Sequence, residues 1–195
     1  MHGLINRSIQ TYVTHSYGYA KWVSVTQKAA LGFVEFEGMM AYDKTYTPEL
    51  LDAVSQVLER PRNEIMEDIG AFIVTYPEFE AVRRLLRFSG DDFGDFLHSL
   101  DDLDDRVRLA VSDLNLPKVE LEVLADGQFN LHCKTNIKGY GYVIMGILRV
   151  MADDYGALAL LDYSGEIDGM ETLSITLVEN DFAEGRSFEL GVSVG

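Results

Sequence analysis

The chain of 195 residues has a single cysteine, Cys133. An intrachain disulfide is excluded, as is a zinc site built on cysteines, and a reducing cytoplasm fits that usage. Basic residues are scarce: 16 Lys and Arg stand against 32 Asp and Glu, a formal charge of −16. That balance argues against nucleic acid and against anionic membrane surfaces, both of which reward cations. Long apolar runs are missing too. The best, residues 142–148, is far shorter than the ~20 residues needed to span a bilayer. The opening "MHGLINRSIQ" lacks the apolar stretch of a signal peptide. No phosphate-cradling glycine loop, nucleophile elbow or paired-histidine metal spacing occurs; "GYGYVIMG" lacks the lysine and the fingerprint spacing. Without a nucleophile, base and oxyanion-donor set, the expectation is that the chain is not an enzyme.

What is present is a core. Apolar residues make up 47% of the chain, enough for one good-sized domain. The first 113 residues read as helices. Leu4, Ile5, Ile9, Tyr12 and Val13 form a helical stripe that Gly18 stops. A helix carrying Trp22 follows. Thr47-Pro48-Glu49 reads as a helix start, with Thr47 as the capping hydroxyl. Pro61 and Pro77 divide the later helices. After Pro117 the period changes to alternation. Two strands around Asp126-Gly127 precede a largely apolar helix over 140–155 and two more strands, with "RSFELGVSV" as a further edge strand or a tail. The layout is α+β: a helical half (1–113), then β-β-α-β-β with an antiparallel sheet and one long helix (114–195), in a single domain.

One segment poses a problem. In "FLHSLDDLDDRV", residues 96–107, Phe96, Leu97, Leu100, Leu103 and Val107 share one helical face with Val111. Asp104 falls inside that stripe, between Leu97 and Val111. A carboxylate there needs a partner, a proton or water. Asp102 with Arg106, and Asp104 with Arg108, are acid-then-base pairs four residues apart, each contributing only ~0.3–0.5 kcal/mol when exposed. His98 points off the stripe, and His132 lies on the strand face opposite Leu131 and Cys133; both read as solvated. Cys133 reads as a small buried hydrophobe.

The order of "MHGLINRSI", Trp22, "YPEFEAVRRLL", "FLHSLDDL" and "LHCKTNIKGYGYVIMGILRVMA" resembles the heme nitric oxide/oxygen-binding (H-NOX) sensor family over nearly the whole chain. The resemblance implies a heme buried between the helical and sheet halves, with a histidine on the helix matching 91–112 as axial ligand. Laid on the pattern Phe-Leu-x-x-x-Asp-x-x-His, Phe96, Leu97 and Asp101 match, and Asp104 stands at the ligand position. A second motif, Tyr-x-Ser-x-Arg, grips the heme propionates in that family; its positions here carry Cys133, Thr135 and Ile137. By the same resemblance Ile5, Ile9 and Tyr142 or Val143 line one wall of the pocket, and Leu97, Leu100, Pro117 and Leu148 lie near the other.

Two anchors are changed, so the resemblance implies heme while the residues predict that it is not bound in the family's usual way. An empty heme-sized hole is costly, and Phe93, Phe96, Met145 and Met151 are the residues expected to fill it. The expected function is a sensory or regulatory domain with a degenerate heme site, acting in trans on a histidine kinase or cyclic-nucleotide enzyme. The alternative is a heme-binding NO/O2 sensor that uses an atypical ligand.

Overall fold

A computed structural model of the chain describes residues 2–88, 90–110, 114 and 116–186. Helix α1 (Gly3–Tyr17) starts at His2, whose Nδ1 accepts the Leu4 N–H, and ends at Gly18 with φ 88°. α2 (Tyr19–Lys28) buries Trp22, whose indole N–H donates to the Val34 carbonyl at 2.6 Å. α3 (Tyr46–Leu58), α4 (Arg62–Thr75) and α5 (Glu80–Arg87) follow, α5 entered through a 3-10 turn at Pro77–Phe79. α6 (Phe93–His98) is capped by Asp92, which accepts the Asp95 N–H at 2.8 Å. α7 spans Leu103–Ala110.

The second half gives β1 (Lys118–Ala125), β2 (Gln128–Lys134), α8 (Tyr140–Tyr155), β3 (Leu158–Ile167) and β4 (Met170–Glu179). They form an antiparallel sheet of order β1-β2-β4-β3. The α+β layout and the turn at Asp126-Gly127 match the sequence reading. Val111 and residues 187–194 of "RSFELGVSV" lie outside the described residues.

Two local expectations need correction. Thr47 does not cap α3. The helix starts two residues earlier than expected, at Tyr46, and Thr47 turns inward to donate its hydroxyl to the buried Asn6 Oδ1 at 2.7 Å. Pro48 still sits in the first turn, where its missing N–H costs nothing. The acidic segment is also not one uniform helix. A 3-10 turn at Ser99–Asp102 joins α6 to α7, and its three residues per turn rotate the later residues out of phase with the 3.6-residue wheel. Leu97 and Leu100 stay buried while Leu109 is 89% exposed.

The core has two parts. One lies among α1 to α4 and includes Ile9, Trp22, Leu50, Ile65 and Ile137. The other lies between the sheet, α6 and α8, and includes Phe93, Phe96, Leu97, Leu100, Leu131, Cys133, Leu148 and Leu173. Helix α8 serves both: Val143 belongs to the first, Ile144, Met145 and Met151 to the second. It approaches α4 closely. A Cβ on Gly70 would lie 2.0 Å from the Val143 carbonyl oxygen, and one on Gly146 would lie 2.0 Å from that of Glu67. Arg149 and Glu67 pair across the same contact at 2.6 Å.

Backbone atoms cannot move aside as a flexible side chain can. Gly70→Ala and Gly146→Ala are each expected to cost ~1–3 kcal/mol or more, the range for overpacked cores. Urea denaturation of the two variants checks this, and unchanged midpoints would contradict the contact.

Candidate ligand site at the junction of helices and sheet

Asp104 is turned inward, with its side chain 23% exposed. It is not unpaired. Its Oδ2 lies 2.9 Å from Arg108 Nη2, and its Oδ1 accepts the backbone N–H of Leu116 at 3.2 Å. Asp101, one turn earlier, accepts the Leu121 N–H at 2.7 Å. Leu121 belongs to β1, an edge strand. Edge strands present unpaired N–H groups, and the acidic segment supplies acceptors for this edge and for the segment leading into it. Arg106 donates to the Ser99 carbonyl at 2.8 Å. The aspartates therefore tie the α6–α7 layer to the sheet.

The second set of positions spreads apart. Cys133 is fully buried in the sheet core, while Ile137 is buried in the helical core. Thr135, half-buried between them, uses its hydroxyl to accept the Ile137 N–H at 3.0 Å. Lys134 and Lys138 are exposed. Burial, with the neighbouring Glu171 carboxylate adding to it, pushes the Cys133 thiol up to about 12.

Glu171 is the residue that sequence reasoning missed. It pairs directly with Cys133 across β2 and β4 and is 1% exposed. Its two oxygens accept the N–H groups of Gly139 at 2.5 Å and Gly141 at 2.6 Å, at the start of α8. A signal was present: alternation puts Glu171 on the same face as Leu173 and Ile175, which are buried. Burial and then Glu171 push the Tyr163 hydroxyl up to about 12. The Tyr163 ring stacks on Tyr142 at 4.3 Å.

Of the apolar positions, Leu97, Leu100 and Leu148 share one core with Cys133, Phe93, Phe96, Met145 and Met151. Ile9 lies in the other core. Ile5 and Pro117 are half-buried, and Tyr142 packs against both cores. His98 is exposed, its ring edge-on to Phe129 at 5.7 Å. His132 is less solvated than expected, because Thr172 and Glu122 hold its two ring nitrogens, each at 3.1 Å. Its hydrogen bond, with a smaller one from Asn130, holds the Glu122 carboxyl below the ordinary range. Among the described residues no group of three or more His, Cys, Asp and Glu is placed to hold a metal, and no helix is long and apolar enough to cross a membrane.

The architecture matches solved H-NOX structures. An H-NOX protein from K. algicida superposes with a TM-score of 0.75 over 94% of this chain and 100% of that one, at 13% identity. One from S. oneidensis gives 0.72 over 91% and 99%, at 18% identity. These likenesses show the fold. The haem-NO-binding family profile matches residues 2–159, and the chain belongs to that family. A curated relative, the soluble guanylate cyclase gcy-32 of Caenorhabditis elegans, is 30% identical over 156 residues. The match takes in 78% of this chain and 23% of the cyclase, so the chain spans about a quarter of that relative's length.

A thiol this deeply buried has almost no thiolate at pH 8. Cys133 in the folded protein is expected to react with a disulfide reagent at least about a hundredfold more slowly than in guanidinium chloride. Comparable rates in the two conditions would contradict the burial.

Proposed function

We propose that this chain is a regulatory module of the H-NOX fold that does not hold heme through the family's usual anchors. The observation that carries the reading is the state of Asp104. Both its oxygens are engaged, one by Arg108 and one by the Leu116 N–H. Haem iron is held by imidazole, thiolate, thioether or phenolate; a carboxylate already paired with a guanidinium is a poor substitute. At the other anchor, Ile137 offers no cation and Cys133 no phenol, and Glu171 adds a carboxylate beside them. The residues present therefore do not fit a porphyrin gripped at those two places.

The two halves work as one domain in this reading, because α8 contributes to both cores. The partner favoured is a cyclic-nucleotide enzyme, reached in trans. Support for that class of enzyme comes from the curated relatives, which are named soluble guanylate cyclases. A histidine kinase is the other class of partner. The role is one of conformational control, since no catalytic set of nucleophile, base and oxyanion donors is recognised.

Asp104→His tests the site. The substitution restores an imidazole at the position the family uses and removes the carboxylate. Hemin titration followed by absorbance is expected to show affinity rising by roughly tenfold or more, with a sharpened Soret band. Unchanged affinity would contradict the placing of Asp104 at the axial position.

A further inference from the structure

We propose that Glu171 is an internal acid that pins α8 to the sheet and keeps the acid groups of a porphyrin out, a second bar to heme beside Asp104. This rests on the reading that heme is not held by the usual anchors, and it concerns the opposite end of the site.

Burying a carboxylate that is 1% exposed is costly unless its oxygens are hydrogen-bonded. Glu171 is compensated by the first turn of α8. The Gly139 and Gly141 N–H groups donate to its two oxygens at 2.5 and 2.6 Å. Helix α8 has 16 residues, and the N-terminus of such a helix carries partial positive charge and unsatisfied N–H groups. The approach requires glycine. A Cβ on Gly141 would lie 2.9 Å from Glu171 Oε2 and 2.9 Å from the Tyr163 ring, and Gly139 has φ 84°.

The location gives the pin its meaning. Cys133, the first of the three positions where the resemblance implies a propionate grip, lies directly opposite Glu171 in the sheet. The other two, Thr135 and Ile137, lead straight into Gly139. The strongest donors at this corner are thus already satisfied by the protein's own acid. A second carboxylate arriving there meets like charge in a poorly hydrated site and finds those N–H groups taken.

Two measurements test the proposal. The first is amide hydrogen exchange on the wild-type chain and on Glu171→Gln. First-turn N–H groups exchange freely unless something accepts them, so Gly139 and Gly141 should be protected at least about a hundredfold in the wild type. In Glu171→Gln their exchange should accelerate by about tenfold or more relative to Leu148 in mid-helix. Unprotected amides in the wild type overturn the pin whether or not the variant folds.

The second is hemin titration of Asp104→His alone, with Glu171→Gln added, and with Glu171→Asp added. The Gln double variant should bind about tenfold more tightly than Asp104→His, while the Asp double variant, which keeps the charge, should not gain. No gain from Glu171→Gln, or an equal gain from Glu171→Asp, overturns the bar. Stoichiometric heme in the wild type would overturn the functional reading and the bar together, and would leave the exchange result to decide the pin.

Discussion

The contact between α4 and α8 governs how the two halves of the molecule meet. Gly70 and Gly146 let the helix backbones approach until a Cβ at either position would collide with a carbonyl. Helix α8 can then belong to both cores at once. Its two ends are fixed by buried acids. At the start, Glu171 takes the Gly139 and Gly141 N–H groups. At the finish, the buried Asp154 accepts from Arg83 of α5 at 2.6 Å. The strand-exit segment closes over the same end: the Ala183 N–H donates to the Gly156 carbonyl and the Arg186 N–H to that of Asp154. A helix held at its middle by backbone contact and at its ends by charge-assisted hydrogen bonds is a rigid beam.

The acidic segment from Asp101 to Asp105 complements that beam. The residues leading into it bury Leu97 and Leu100 in the core shared with α8 and the sheet, while Asp101 and Asp104 satisfy backbone N–H groups at and before the edge strand. The position that the family resemblance assigns to an iron ligand here does mechanical work between two layers. Asp104 and Glu171 follow one pattern. Each is a carboxylate on a face that should be apolar; Glu171 is satisfied by two backbone N–H groups at the start of α8, Asp104 by the Leu116 N–H and the Arg108 guanidinium.

Much of this was legible in the sequence. The 3.6-to-2 change of period near Pro117, the Asp126-Gly127 turn and Gly18 are local signals, and they located the elements. The burial of Cys133, Leu97 and Leu100 followed from periodicity. What escaped depends on distant partners. Thr47 looked like a cap because the sequence around it says so, but Asn6, 41 residues away, takes its hydroxyl. The 3-10 turn at Ser99–Asp102 leaves no mark in a wheel drawn at constant pitch. Glycines inside two helices say only that something comes near, not which backbone. Glu171 broke the alternation of β4 just as Asp104 broke the stripe of its helix, and the same reasoning applied there would have marked it.

The central claim is that the fold is kept while its two heme anchors are reassigned to holding the protein together. The most direct measurement is the absorbance spectrum, with heme quantified per chain, of wild-type protein purified from heme-supplemented cells. The account predicts a folded protein with little heme and no strong Soret band. One heme per chain with a sharp Soret band, retained through purification, would contradict it.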